Sequence, residues 1–178
     1  MSRQHDESTA IDHVEQRRRQ WTRELPDVDT VGMAVLGRAR WITLHARPAI
    51  ERVFARHGLD TGEFDVLATL LRSGPPYRLR PTELYKSLMI SSGGLTDRLA
   101  RLEAAGLVRR VPSEVDARSL LVELTPAGRK RAEIAFREDM QVEKAMLAAL
   151  TASEREQLGR LLAKLAAHVA AHGEPGPG

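Results

Sequence analysis

The stretch VRRVPSEVDARSLLVELTPAGR (108–129) confines the fold more than any other part of the chain. Two apolar runs of strand character flank a polar tip, Pro112 to Arg118, that carries Glu114, Asp116 and Arg118. Joining two strands needs little more than an Asn-Gly or Asp-Gly pair, so a tip this long implies a task beyond the turn. Its neighbours narrow the task. Upstream, PPYRLRPTELYKSLM (75–89) starts as a rigid turn, and Pro81 opens a short helix. Ser91, Ser92, Gly93 and Gly94 then break the chain. The spacing predicts a second helix with Leu95, Leu99 and Leu102 on one face and Thr96, Arg98 and Arg101 on the other, stopped by Gly106.

A short helix, a glycine-containing turn and a helix with one basic face form a helix-turn-helix, whose second helix reads the major groove. Amphipathic helices are common, so this pattern is weak by itself. The hairpin that follows at once strengthens it, because a helix-turn-helix trailed by a hairpin is a winged helix. The long tip is then the wing, and Arg118 is placed to enter the minor groove or grip phosphate. Asp116 can hold that arginine extended through a charge-assisted bond. Ser91, Ser92 and Gly94 put hydroxyls and N–H groups at a helix N-terminus, where phosphate binds well. Arg80, Pro81 and Thr82 lead the first helix, and Thr96, Arg98 and Arg101 line the second. These residues, with Arg118, are the candidate contacts to double-stranded DNA.

The remaining pattern is mainly helical. Residues 11–25 form a short amphipathic helix ended by Pro26, and residues 28–58 a long one in which Pro48 should introduce a kink. Residues 60–74 form a third, with Asp60 as N-cap and Glu63 in capping-box position. Pro126 opens a helix through about residue 150, and Thr151 or Ser153 caps the last one. That helix carries Leu158, Leu161, Leu162, Leu165 and Val169, an apolar stripe with the heptad character of a dimerisation surface.

The expected organisation is a disordered start (1–9), an extra helix and a dimerisation helix (10–58), a winged helix-turn-helix (59–125), C-terminal dimerisation helices (126–172) and a disordered tail (173–178). At 42% hydrophobic and 4% aromatic over 178 residues, the core must be mostly Leu, Ala and Val.

Composition also excludes functions. There is no cysteine, hence no disulfide framework, thiolate metal site or thiol switch. No apolar run approaches membrane-spanning length, and residues 1–20 lack a signal-peptide core, so a soluble cytoplasmic protein is expected. Net charge is only +3, but the arginines cluster, at 17–19 and again at 98, 101, 109, 110 and 118. The first cluster reads as a solvated face. The six histidines show no metal-binding spacing, and no phosphate loop or nucleophile elbow is present, so neither an enzyme nor a cofactor is expected. A helical interaction protein would account for the terminal helices but not for the basic wing.

The span RPTELYKSLMISSGGLTDRLARLEAAGLVRRVPSEVDARSLLVELTPAGR (80–129), with its D-x-R followed by L-T-x-x-G, resembles the MarR family of bacterial transcription regulators. The resemblance extends over about residues 28–170. GPPYRL, SSGGLTDRL and an extra N-terminal helix bearing Trp21 point to the PecS or urate-responsive branch. The resemblance implies an intertwined, triangular homodimer, mainly α with a small β-wing, acting as a repressor on a pseudo-palindromic operator. It also implies release by a small anionic aromatic ligand such as urate, held by Trp21, Asp65 and Arg98. A different organic anion, or none, is the alternative. So is a plain structural role for each residue: Trp21 as an anchor, Asp65 as a half-buried partner of Arg98, Arg101 paired with Glu103 or Asp97.

Overall fold

In the computed structural model of the chain, residues 12–89, 94–113 and 119–172 are described. The chain divides into two compact units, one through Pro48 and one from Ala49. In the first, α1 (His13–Glu24) begins where Asp12 Oδ1 accepts the Val14 and Glu15 N–H groups at 2.9 and 3.3 Å. The same carboxylate accepts from Arg38 Nε at 2.6 Å, tying the start of α1 to the next helix. A π-helical turn, Met33–Gly37, leads into α2 (Arg38–Arg56). Nothing in MAVLG signals that wider turn. Pro48 removes one backbone donor from α2, which nevertheless stays helical on both sides of it.

The second unit is built around α3 (Thr61–Arg72), eight of whose twelve residues are buried. Its cap is the expected capping box: Glu63 N–H donates to Asp60 Oδ1 at 2.7 Å and Asp60 N–H to Glu63 Oε2 at 2.9 Å. Val66, Leu67 and Leu70 are fully enclosed. They meet Val53 and Phe54 from the end of α2, and the Phe54 and Phe64 rings stack at 4.0 Å.

Two short helices follow, α4 (Pro81–Ser87) and α5 (Leu95–Ala104), before β2 (Val108–Pro112) and β3 (Leu120–Leu124). The stop at Gly106 works as expected. With φ at +69° the glycine turns left-handed, and Leu107 N–H reaches back to Leu102 C=O at 2.9 Å. The hairpin runs in register from Val108 opposite Leu124 to Pro112 opposite Leu120. Residues 114–118 of its tip, Arg118 included, lie outside the described residues. The segment read as a rigid turn contains a strand, β1 (Arg78–Leu79), which pairs with β3 and completes a sheet ordered β1-β3-β2. Two residues are too few for a period-2 pattern, so only the free edge of β3 could reveal it.

Thr125 caps α6 (Pro126–Met146), accepting from Gly128 N–H at 3.0 Å. Of the two candidate caps for α7 (Ala152–His172), Thr151 is the one used, exchanging hydrogen bonds with Glu154. No residue of α7 is buried, and Leu161 is 58% exposed.

Asp139 in α6 is only 5% exposed and its Oδ1 has no hydrogen-bond partner among the described residues. Burial, reinforced by Glu143, pushes its carboxyl up to about 6 from the ordinary 3.8. The folded state therefore holds this proton over a pH range in which the unfolded chain has released it. The stability this gives is complete below the ordinary value and is lost as pH rises through about 6. Asp139→Asn should consequently melt at a higher temperature than the wild type at pH 7.5, the gap closing towards pH 4. Scanning calorimetry across that range checks it; a gap independent of pH would place the effect elsewhere.

Candidate nucleic-acid interface

The helix-turn-helix is α4 and α5, and α3 holds both. Arg80 takes the extended N-cap position of α4, and its N–H donates to Glu83 Oε2 at 2.9 Å. Pro81 occupies the first turn, where its missing donor costs nothing. Leu84 is fully buried, which turns Tyr85 and Lys86 outward; Tyr85 is 49% exposed. At the far end of α4, the Arg72 guanidinium donates to Ser87 C=O and to Thr69 Oγ1. Two residues later the Met89 N–H donates to Asp65 Oδ2 at 2.8 Å. Asp65 is buried within α3, so the chain enters the turn already fastened to the core.

Residues 90–93 lie outside the described residues, and with them the candidate phosphate ligands Ser91 and Ser92. Gly94, left-handed at φ +72°, caps α5. Leu99 and Leu102 face inward, as their spacing predicts. Pro81, Thr82, Gly94 and Thr96 line one open groove together with Tyr85 and Lys86. Four of the candidate DNA residues thus share a surface, joined by two that the sequence reading did not single out. The only signal for Tyr85 and Lys86 was their position beside Leu84, the residue that α4 buries.

The arginines divide differently from the sequence expectation. Arg98 leans back over α3, so close to Gly62 that a Cβ there would come within 2.3 Å of Nε. Asp65 stands one turn along from Gly62, so α3 presents both to the same side. Arg101 pairs with Glu63 at 2.6 Å and Asp60 at 3.1 Å, rather than with Glu103 or Asp97. Arg109 pairs with Glu123 across the hairpin, and Arg110 with Glu103 at 3.4 Å. Much of the basic cluster is therefore neutralised within the protein. Around the groove, Arg80 and Lys86 have no carboxylate in salt-bridge reach among the described residues. A free cation at Lys86, lining the groove with Gly94 and Leu95 at the start of α5, suits a phosphodiester backbone.

Trp21 belongs to the first unit, half exposed and lining a pocket with Leu25, Val28, Thr30 and Met33. Asp65 and Arg98 belong to the second. Among the described residues, no cluster of His, Cys, Asp or Glu is placed to hold a metal ion, and no helix is long and apolar enough to cross a membrane.

The sequence pattern of the MarR family matches residues 57–119, from the end of α2 to the wing. The HTH-type transcriptional regulator PecS of Dickeya dadantii is 37% identical over 150 residues, covering 84% of this chain and 90% of PecS. The chain belongs to the MarR family, in its PecS branch. Among solved structures, a mutant of MarR from E. coli complexed with operator DNA matches at 27% identity and a TM-score of 0.64, covering 78% of this chain and 99% of that one. AbsC, a MarR family transcriptional regulator from Streptomyces coelicolor, shares the fold at a TM-score of 0.69 and 20% identity, covering 82% of this chain and 98% of AbsC. The PecS-branch protein is thus a DNA-binding transcriptional regulator with a winged helix fold, not an enzyme.

The contrast between free and paired cations gives a test. Lys86→Ala should weaken binding to any duplex by a similar factor and reduce the salt slope by about one per contacted site. Arg109→Ala, whose charge Glu123 already balances, should leave the slope unchanged. Fluorescence anisotropy over a salt series measures both, and identical slopes for the two variants would remove the groove from the interface.

Proposed function

We propose that this regulator is a repressor that binds a pseudo-palindromic operator as a homodimer and leaves it when a small aromatic anion such as urate binds beside Arg98 and Asp65. The observation that carries the ligand reading is the double engagement of α3. Asp65 is a buried carboxylate that fastens Met89, at the entry to the helix-turn-helix turn. Arg98, on α5, reaches back over Gly62 of the same helix. An anion entering here is attracted by Arg98 and repelled by Asp65. Either movement shifts α5, because one group is on it and the other holds the chain that leads to it. A ligand that prefers the shifted state by about 1–3 kcal/mol changes DNA affinity about 5- to 150-fold.

The homodimer is supported by α7. Leu158, Leu161, Leu162 and Val169 are exposed along one stripe with Leu165 half-buried among them, more apolar surface than a subunit leaves in water. Two symmetric subunits bind a site whose halves mirror each other. Arg80, Pro81, Thr82, Gly94 and Thr96 are the described residues proposed to meet DNA, and Ser91, Ser92 and Arg118 extend that surface in the sequence reading.

The test is calorimetry with urate on the wild type, Asp65→Ala and Trp21→Phe, with operator release followed in parallel. The expected result is binding and release in the wild type and loss of both in Asp65→Ala. Trp21→Phe reports whether the indole takes part, as the family resemblance implies. No heat at millimolar urate removes urate as the ligand; binding that survives Asp65→Ala removes Asp65 and its surroundings as the site.

A further inference from the structure

We infer that Arg101 is a positioning residue and that the capping box of α3, Asp60 and Glu63, is the bracket that sets the pose of α5 on DNA. The inference rests on α5 being the recognition helix and not on the identity of any ligand.

The geometry uses every oxygen of both carboxylates. Glu63 Oε2 accepts from Asp60 N–H at 2.9 Å and Oε1 from Arg101 Nε at 2.6 Å. Asp60 Oδ1 accepts from Glu63 N–H at 2.7 Å and Oδ2 from Arg101 Nη2 at 3.1 Å. A capping box ordinarily satisfies only the free N–H groups of its own helix. Here the same two side chains, each already fixed by one oxygen, present their second oxygens to one guanidinium. Neither can swing away without breaking the cap, so Arg101 has a rigid seat and not a loose surface partner. The Glu63 side chain is 11% exposed, so its bond is shielded from solvent, while Arg101 remains 54% exposed.

Charge points the same way. A DNA phosphate approaching Arg101 would meet two carboxylates around one cation, an unfavourable site for an anion. One turn earlier on the same face of α5, Arg98 lies over Gly62, between the two bracket residues. Two long side chains on successive turns therefore rest on the first turn of α3. Together they fix the rotation of α5 about its axis and hold Thr96 at the groove. A Cβ at Gly62 would push the Arg98 guanidinium off this seat.

The discriminating observation is a sign. Removing a negative charge near DNA should, by long-range electrostatics alone, tighten binding to every duplex. If Glu63 instead positions α5, Glu63→Gln should weaken operator binding by about tenfold while leaving random-duplex binding unchanged or tighter. Glutamine still serves in a capping box, so this variant retains the start of α3, which a thermal melt verifies. Arg101→Met should lower operator affinity to a similar extent with no change in salt slope. The double variant should be no worse than either single one, since both remove the same contact. The inference is overturned if Glu63→Gln tightens operator binding. It is equally overturned if Arg101→Met weakens operator and random DNA alike and lowers the salt slope by about one per half-site, because Arg101 would then touch phosphate. Should Glu63→Gln fail to fold, the salt slope and operator-to-random ratio of Arg101→Met decide by themselves.

Discussion

A carboxylate inside an apolar helix is costly unless its oxygens accept hydrogen bonds, and Asp65 of α3 meets that condition by accepting the backbone N–H of Met89. Much of the DNA-binding half of the molecule follows from this. α3 is buried on most of its surface, so its polar groups have few directions in which to be satisfied, and those directions lead to α4 and α5. Thr69 and Arg72 hold the end of α4, Asp65 holds the chain beyond it, and Asp60 and Glu63 hold Arg101 of α5. The apolar face of α3 makes the core, and its polar remnant orients the reading head. A signal that perturbs this helix has a short route to the recognition helix, with no long pathway required.

Charge is allotted with the same economy. The sequence displays a block of arginines, yet Arg101, Arg109 and Arg110 each face a carboxylate. Uniform positive charge would favour any duplex and raise non-specific binding. Lys86, which lines the groove with Thr96 and the start of α5, is left without a carboxylate partner among the described residues, so its charge stays available where those residues lie. The terminal helix follows a different logic, leaving a leucine stripe bare along α7.

Much of this was legible in the residues because the signals were local. Asp60 and Glu63 stand in capping-box spacing, Gly106 stops a helix that Leu99 and Leu102 had phased, and the two apolar runs around the tip read as strands. What was not legible depended on distance. Arg101 looked like one more basic residue on an exposed face, because its partners stand 41 and 38 residues earlier in the chain. The strand Arg78–Leu79 exists only because β3 offers it an edge. The π-helical turn at Met33–Gly37 carries no proline or polar insertion that would announce it. Lys86 escaped notice because nothing in its neighbourhood marks it; only the burial of Leu84 turns it outward.

Thr96 stands at the groove on the N-terminal turn of α5, the part of a recognition helix that faces base edges. The most direct measurement is selection of preferred binding sites from a random duplex library by the wild type and by Thr96→Ala, compared position by position. The wild type should select a two-fold symmetric site. In Thr96→Ala, preference should relax at one symmetry-related pair of positions by about 1–3 kcal/mol, with the others retained. Identical base preferences for the two proteins, with only overall affinity changed, would contradict it.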